Sequence, residues 1–385
     1  MFDRRLWSRN FILINLCSVF ASFTNFAYIY ILPVHVLRIG GTNTDVGLMG
    51  AGLTALGLLT RFTLSPLIDR WGRKPMLMAG VCLFALNSLG YWLLRGSVIG
   101  IILMRCFSGI SQGIFFPVPP TCISDVSPKD KLVDALGIFG ISSALPAILS
   151  PVAGLYLYEH VGPSAFFATV GATALLSVLA ACFYRDSYVP QRGGGNAQRS
   201  FRLSAVIETA VLLPCLVFFF NSFGFSSVNN FVIAFGESRG IAEIGLFFTV
   251  HNAAIVASRL VAGHMRRLFS RRMLIVLGLS LAALGILLIG VGGSLPALFL
   301  SAVIIALGGT VFSQYLQADI LERVAENRRG VANSTLMLFQ DVGAGVGAAA
   351  FGLTAEHGGY PITFILAALI AAVAIPLSLM DRSKE

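Results

Sequence analysis

Charge is scarce in this chain. Of its 385 residues only 12% are Asp, Glu, Lys or Arg, against about 25% in an ordinary soluble domain. A soluble protein of this length covers its surface with charge, so the shortage excludes a cytosolic enzyme and a disordered chain. Cysteine is sparse too. Cys17, Cys82, Cys106, Cys122, Cys182 and Cys215 form no CxxC pair, and each falls in or beside an apolar run. They read as small buried hydrophobes, not as a disulfide framework or a metal site. The chain has no P-loop pattern, so ATP is not the expected energy source. It has no HExxH and no Cys/His cluster. No cofactor and no enzymatic activity are expected.

Apolar length is abundant. Hydrophobic residues make up 56% of the chain. They form long continuous runs, not the short alternating segments of a membrane β-barrel. The expected class is an all-α membrane protein. Breaking the chain at charge clusters and Gly/Pro turns leaves twelve spans: 11–32, 45–65, 76–94, 98–120, 135–158, 163–184, 204–228, 242–263, 273–292, 296–318, 331–354 and 358–380. Arg4, Arg5 and Arg9 precede the first one. That stretch exceeds the roughly 7–15 apolar residues of a signal peptide, so it reads as an uncleaved membrane helix. The stretch 185–204, with Gly193, Gly194 and Gly195 among arginines, reads as a flexible basic linker between a half at 1–184 and a half at 205–385.

The net charge of +9 is distributed by topology. Of 27 Lys and Arg, 21 lie at the termini or in loops after even-numbered spans. Three lie in the opposite loops (Arg38, Arg95, Arg239) and three inside helices (Arg61, Arg105, Arg259). This asymmetry puts both termini and the linker in the cytoplasm, and it leaves no nucleic-acid footprint to explain.

The chain also repeats itself. Under a shift of 198 residues, Asp45-Val46-Gly47-Leu48 falls on Glu243-Ile244-Gly245-Leu246, Arg61 on Arg259, and Arg73 on Arg271. Under a shift of 197, Glu159-His160 falls on Glu356-His357, and Gly162 on Gly359. Six helices separate the copies, so both have the same polarity. Parallel repeats of this kind are expected to create a site at their interface and to rock about it.

Twelve helices in two halves resemble the major facilitator superfamily. The loop after the second span makes the resemblance specific. Asp69, Arg70, Gly72, Arg73 and Lys74 match the signature G-x-L-a-D-R-x-G-R-[KR], with Ser65 replacing its leading glycine. The segment Arg105–Gly113 resembles the R-x-x-x-G-x-x-x-G motif of proton-coupled exporters, and Ser150–Gly154 resembles their G-P-x-x-G motif with serine first. The resemblance implies two pseudo-symmetric six-helix bundles in the inner membrane, working as a monomer by alternating access.

Embedded ionisable groups are the informative residues, because each is costly in hydrocarbon unless it faces water or the bundle interior. Asp341 lies about ten residues into its helix, roughly 15 Å deep. Burial there poises a carboxylate to exchange protons or to hold a cation, or else to pair structurally with an arginine. Arg105 is the expected counter-charge, and His251 a possible proton relay near neutral pH. Glu208 reads as an interfacial partner of Arg202. Asn25, Tyr28, Gln112, Asn221, Gln314 and Gln317 fall on spans 1, 4, 7 and 10, which line the cavity in families of this fold. Arg61, Asp69, Arg70, Arg73 and Arg259 are the expected cytoplasmic gate. The function this implies is proton-coupled export of a small amphipathic organic compound. The alternatives are a proton-driven importer or uniporter of a metabolite, or a lipid flippase. The expected partners are that compound, protons and the lipid bilayer, with no nucleic acid.

Overall fold

The computed structural model describes residues 7–128, 131–185, 208–265, 269–325 and 328–380, without the side chains of residues 62, 64–71, 133, 242 and 260–265. Regular structure among the described residues is entirely helical. The helices of the first half are α1 (Arg9–Arg38), α2 (Asn43–Trp71), α3 (Arg73–Leu93), α4 (Val98–Phe115), α5 (Val118–Val126), α6 (Leu132–Tyr156) and α7 (Pro163–Phe183). Those of the second are α8 (Leu212–Ser238), α9 (Leu246–Met265), α10 (Arg271–Val291), α11 (Leu295–Glu322), α12 (Arg329–Ala372) and α13 (Ala374–Met380).

Serine sets three of the starts. Ser8, Ser97 and Ser270 accept the amides of Phe11, Gly100 and Met273 and so satisfy donors that have no partner inside the helix. The expected span 98–120 is divided between α4 and α5. Pro117, Pro119 and Pro120 fall at the break, where each lacks an amide proton to continue the ladder. The last two expected spans are joined. Helix α12 passes through Gly359, whose φ of 77° only glycine adopts without strain, and Pro361 follows. Its repeat mate Gly162, at φ 109°, ends the π-helical turn Leu157–Val161 between α6 and α7.

Nine stretches among the described residues are long and apolar enough to cross a membrane. The last, Arg329–Met380, has 52 residues. That is over twice the roughly 20 that one crossing needs, so it holds two of the expected spans. Ile99, Ile141 and Val291 are 70–72% exposed, which suits lipid rather than water. All six cysteines are free. Cys17, Cys122 and Cys215 are buried as expected, but Cys82 and Cys182 are exposed. An apolar helix in lipid has no need to hide a small hydrophobe, so the expectation of burial fails for these two.

The chain divides into two compact units, Met1–Gly41 with Gly52–Gly194, and Thr42–Ala51 with Gly195–Glu385. The first nine residues of α2 therefore group with the second unit. The Asn43 amide donates to Glu356 Oε2 at 2.7 Å, and the Tyr360 hydroxyl donates to Asn43 Oδ1 at 2.9 Å. A side chain on Gly47 would begin 2.5 Å from the Ala348 carbonyl, so its absence lets the two backbones meet. Each unit has its own core. Phe11, Leu77, Val81 and Phe115 centre the first. Cys215, Leu274, Leu279 and Phe312 centre the second.

Candidate functional site

The second unit forms a partly open cavity of about 270 Å³ between α8, α9, α10, α11 and α12. One stripe of α9 faces it. His251, Ile255 and Arg259 recur every four residues, which brings them to the same side of a helix. His251 stands about 12 Å along the axis from Arg259, at about 1.5 Å per residue. Helix α8 contributes Phe218, Asn221, Ser222 and Phe225 on the same principle.

His251 is buried and held on two sides. Its Nδ1 lies 3.1 Å from the Ala302 carbonyl oxygen on α11. A carbonyl only accepts, so Nδ1 carries the proton and Nε2 is left as the acceptor of the neutral ring. The ring stacks on Phe225 (centroids 5.5 Å, 29°) and Phe247 (6.4 Å, 10°). Phe218 and Phe312 meet at 5.3 Å and form a second aromatic wall. Arg259 is exposed at the edge of the cavity. Among the described residues no hydrogen bond or ion pair engages it. Thr310, Ser313 and Gln340 add neutral polar groups.

The structure thus brings Asn221, His251 and Arg259 together. Asp341 follows Gln340 on α12 and is half-buried. Gln314 and Gln317 on α11 are exposed, and Gln317 donates to Asn333 Oδ1 at 3.2 Å. Ser222, Thr310 and Ser313 line the cavity and were not singled out from sequence. The available signal was register, since Ser222 follows Asn221, and Ser313 precedes Gln314 by one position.

The remaining candidates lie in the first unit. Arg105 is 5% exposed, and its Nε has no hydrogen-bond partner among the described residues. It neighbours the Tyr91 hydroxyl, which meets Ser108 Oγ at 2.7 Å. Tyr28 is packed among Tyr91, Phe166 and Phe167, with centroids at 4.6, 6.0 and 6.2 Å. Asn25 is buried, and Gln112 is half-buried with Nε2 unpartnered among the described residues. Arg61 is half-buried. The side chains of Asp69 and Arg70 lie outside the described residues, as does Arg202. Glu208 pairs with Arg328 at 2.7 Å.

Sequence reasoning missed the acids that meet the repeat-related arginines. Arg73 donates to Asp125 at 3.1 Å. Arg271 donates to Asp319 at 3.3 Å and to Glu322 at 2.7 and 3.0 Å. Arg323 pairs with Asp319 as well. These acids lie about 50 residues beyond their arginines, so no local pattern links them. His35 was also missed. Its two ring nitrogens meet the Tyr158 hydroxyl and the Arg95 carbonyl, each at 2.7 Å, which pins α1 to both.

Long apolar helices, lipid-facing side chains and a polar cavity within a helical bundle define a multi-pass membrane transport protein. The family model described as Major Facilitator Superfamily matches residues 14–242 and 214–385, and this chain belongs to that superfamily. It is 21% identical over 376 residues to Multidrug resistance protein 1 of Bacillus subtilis, covering 94% of both chains. It is 21% identical over 362 residues to an uncharacterized MFS-type transporter of Methanocaldococcus jannaschii, covering 89% of this chain and 90% of that one. Its fold is similar to the nucleoside transporter NupG, with a TM-score of 0.83 at 12% identity, covering 96% and 98% of the two chains. A bacterial homolog of the human lysosomal transporter Spinster gives 0.80 at 14% identity, covering 98% and 97%. All of these are transporters. The chain is a transporter of small organic substrates and not an enzyme.

Proposed function

We propose that this chain exports a small amphipathic organic compound in exchange for protons. The observation that carries the reading is the cavity of the second unit. It combines aromatic walls with His251, Asn221 and Gln340, and Asp341 follows directly on α12. An apolar compound with a polar end meets both kinds of surface there. Asp341 is the proton-coupling residue in this reading. A carboxylate inside an apolar helix is costly, and proton exchange with a water-filled pathway is a function that repays it. Arg105 supplies the counter-charge of the first unit. The full-length likeness to a multidrug resistance protein favours export and a broad amphipathic cargo. The distribution of Lys and Arg favours the inner membrane, with both termini in the cytoplasm.

Inside-out vesicles with an acid interior test the reading. A pH-sensitive dye reports proton release as amphipathic cations, anions and zwitterions are added in turn. At least one compound is expected to release protons. Asp341→Asn is expected to slow that release about a hundredfold, the lower end of what one positioned proton-transfer group contributes. Unchanged release in the variant moves coupling away from Asp341. Silence across the panel, with folded protein present, overturns antiport.

A further inference from the structure

We infer that the cargo of the second-unit cavity is an organic anion with a flat body of one or two rings. The inference rests on the transport reading above and adds the charge and shape of the substrate.

The charge follows from the lining. Arg259 contributes a permanent positive charge, and no Asp or Glu is among the residues that line the cavity. No ion pair neutralises Arg259 among the described residues. The other polar groups named above, Asn221, Ser222, Thr310, Ser313 and Gln340, are neutral. Phenylalanine faces attract cations by themselves. Here a cation would have to pass the Arg259 guanidinium, with no lining carboxylate to offset the repulsion. A carboxylate or sulfonate instead matches the planar fork of Arg259.

The shape follows from the walls. Phe218, Phe225 and Phe312 reach the cavity with the stacked ring of His251. A dry cavity of about 150 Å³ holds one benzene ring. The larger volume here, about 270 Å³, admits a second ring. Arg259 and His251 lie on one stripe of α9. An anion on Arg259 therefore directs its ring body along that stripe towards His251, whose Nε2 accepts one hydrogen bond in the neutral state.

Three compounds of one shape test this: naphthoate, naphthamide and naphthylmethylammonium. Counterflow is measured with the full-length protein in liposomes. Naphthoate is expected to be carried about tenfold better than the other two, the factor one charge-assisted hydrogen bond supplies. Arg259→Gln is expected to erase that preference, and Arg259→Lys to restore part of it. Arg259 is exposed, so both variants should elute and melt as the parent does. Equal carriage of the three compounds overturns the inference, as does preference for the ammonium or naphthoate uptake unchanged in Arg259→Gln. Each of these leaves the transport reading standing. Failure to carry any of the three also overturns the inference, and the proton-release assay then judges the transport reading separately.

Discussion

Gly308→Leu is expected to destabilise the second unit by about 3 kcal/mol or more, near a hundredfold in the folding equilibrium. Helices α10 and α11 touch backbone to backbone at this point. A Cβ on Gly308 would lie 2.5 Å from both the Ala282 nitrogen and the Gly278 oxygen. A Cβ on Gly278 would lie 2.7 Å from the Phe312 nitrogen and 2.8 Å from the Gly308 oxygen. Flexible side chains can turn aside from such a clash, but helix backbone cannot. The two helices must separate, and dispersion contact along the whole seam falls with them. Ala282, Ile286, Ile305 and Ala306 line the cavity from the same two helices, so substrate binding should fail too. Gly309 supplies the control. A Cβ there meets nothing within 4 Å, so Gly309→Ala should cost nothing in packing and gain up to about 1 kcal/mol in helix propensity. Thermal unfolding in detergent reads both variants. A parental melting temperature for Gly308→Leu would refute the close seam.

Asp319→Ala is expected to cost about 3 kcal/mol, the lower end of the range for breaking a buried ion pair. The Asp319 side chain is only 7% exposed and sits between Arg271 and Arg323. Its removal takes the shared carboxylate from both Arg271 and Arg323, while Glu322 still pairs with Arg271. Glu322 is 59% exposed, so its pairing is screened and weak. The repeat provides an internal comparison. Asp125 holds the equivalent Arg73 but is 31% exposed. Asp125→Ala should therefore cost less, about 1 kcal/mol, because water can take the place of the carboxylate. The order of the two melting temperatures is the test. A larger loss for Asp125→Ala would show that burial does not govern these pairs.

Much of the architecture was legible before any coordinates. The shortage of charge alone required a lipid environment, since no arrangement of these side chains covers a soluble surface. The repeat paired Gly162 with Gly359, and both adopt positive φ. Arg61, Arg105 and Arg259 stood out because an arginine within an apolar span needs a reason. His251 and Asn221 stood out in the same way, and both reach the cavity.

The faces of the helices were not legible. In water, a polar stripe marks the exposed side and an apolar stripe the core. In lipid both sides are apolar, so periodicity does not say which way a helix turns. Successive helical residues differ by about 100° in direction. That single step separates Ser313, which lines the cavity, from Gln314, which is exposed. It also left Cys82 and Cys182 looking like core residues. Composition and spacing therefore determined the class, the repeat and the residues worth suspecting. Tertiary packing decided which of them meet, because the rotation of each helix, the partners of Arg73 and Arg271, and the glycine seam at Gly308 all depend on neighbours distant in the chain.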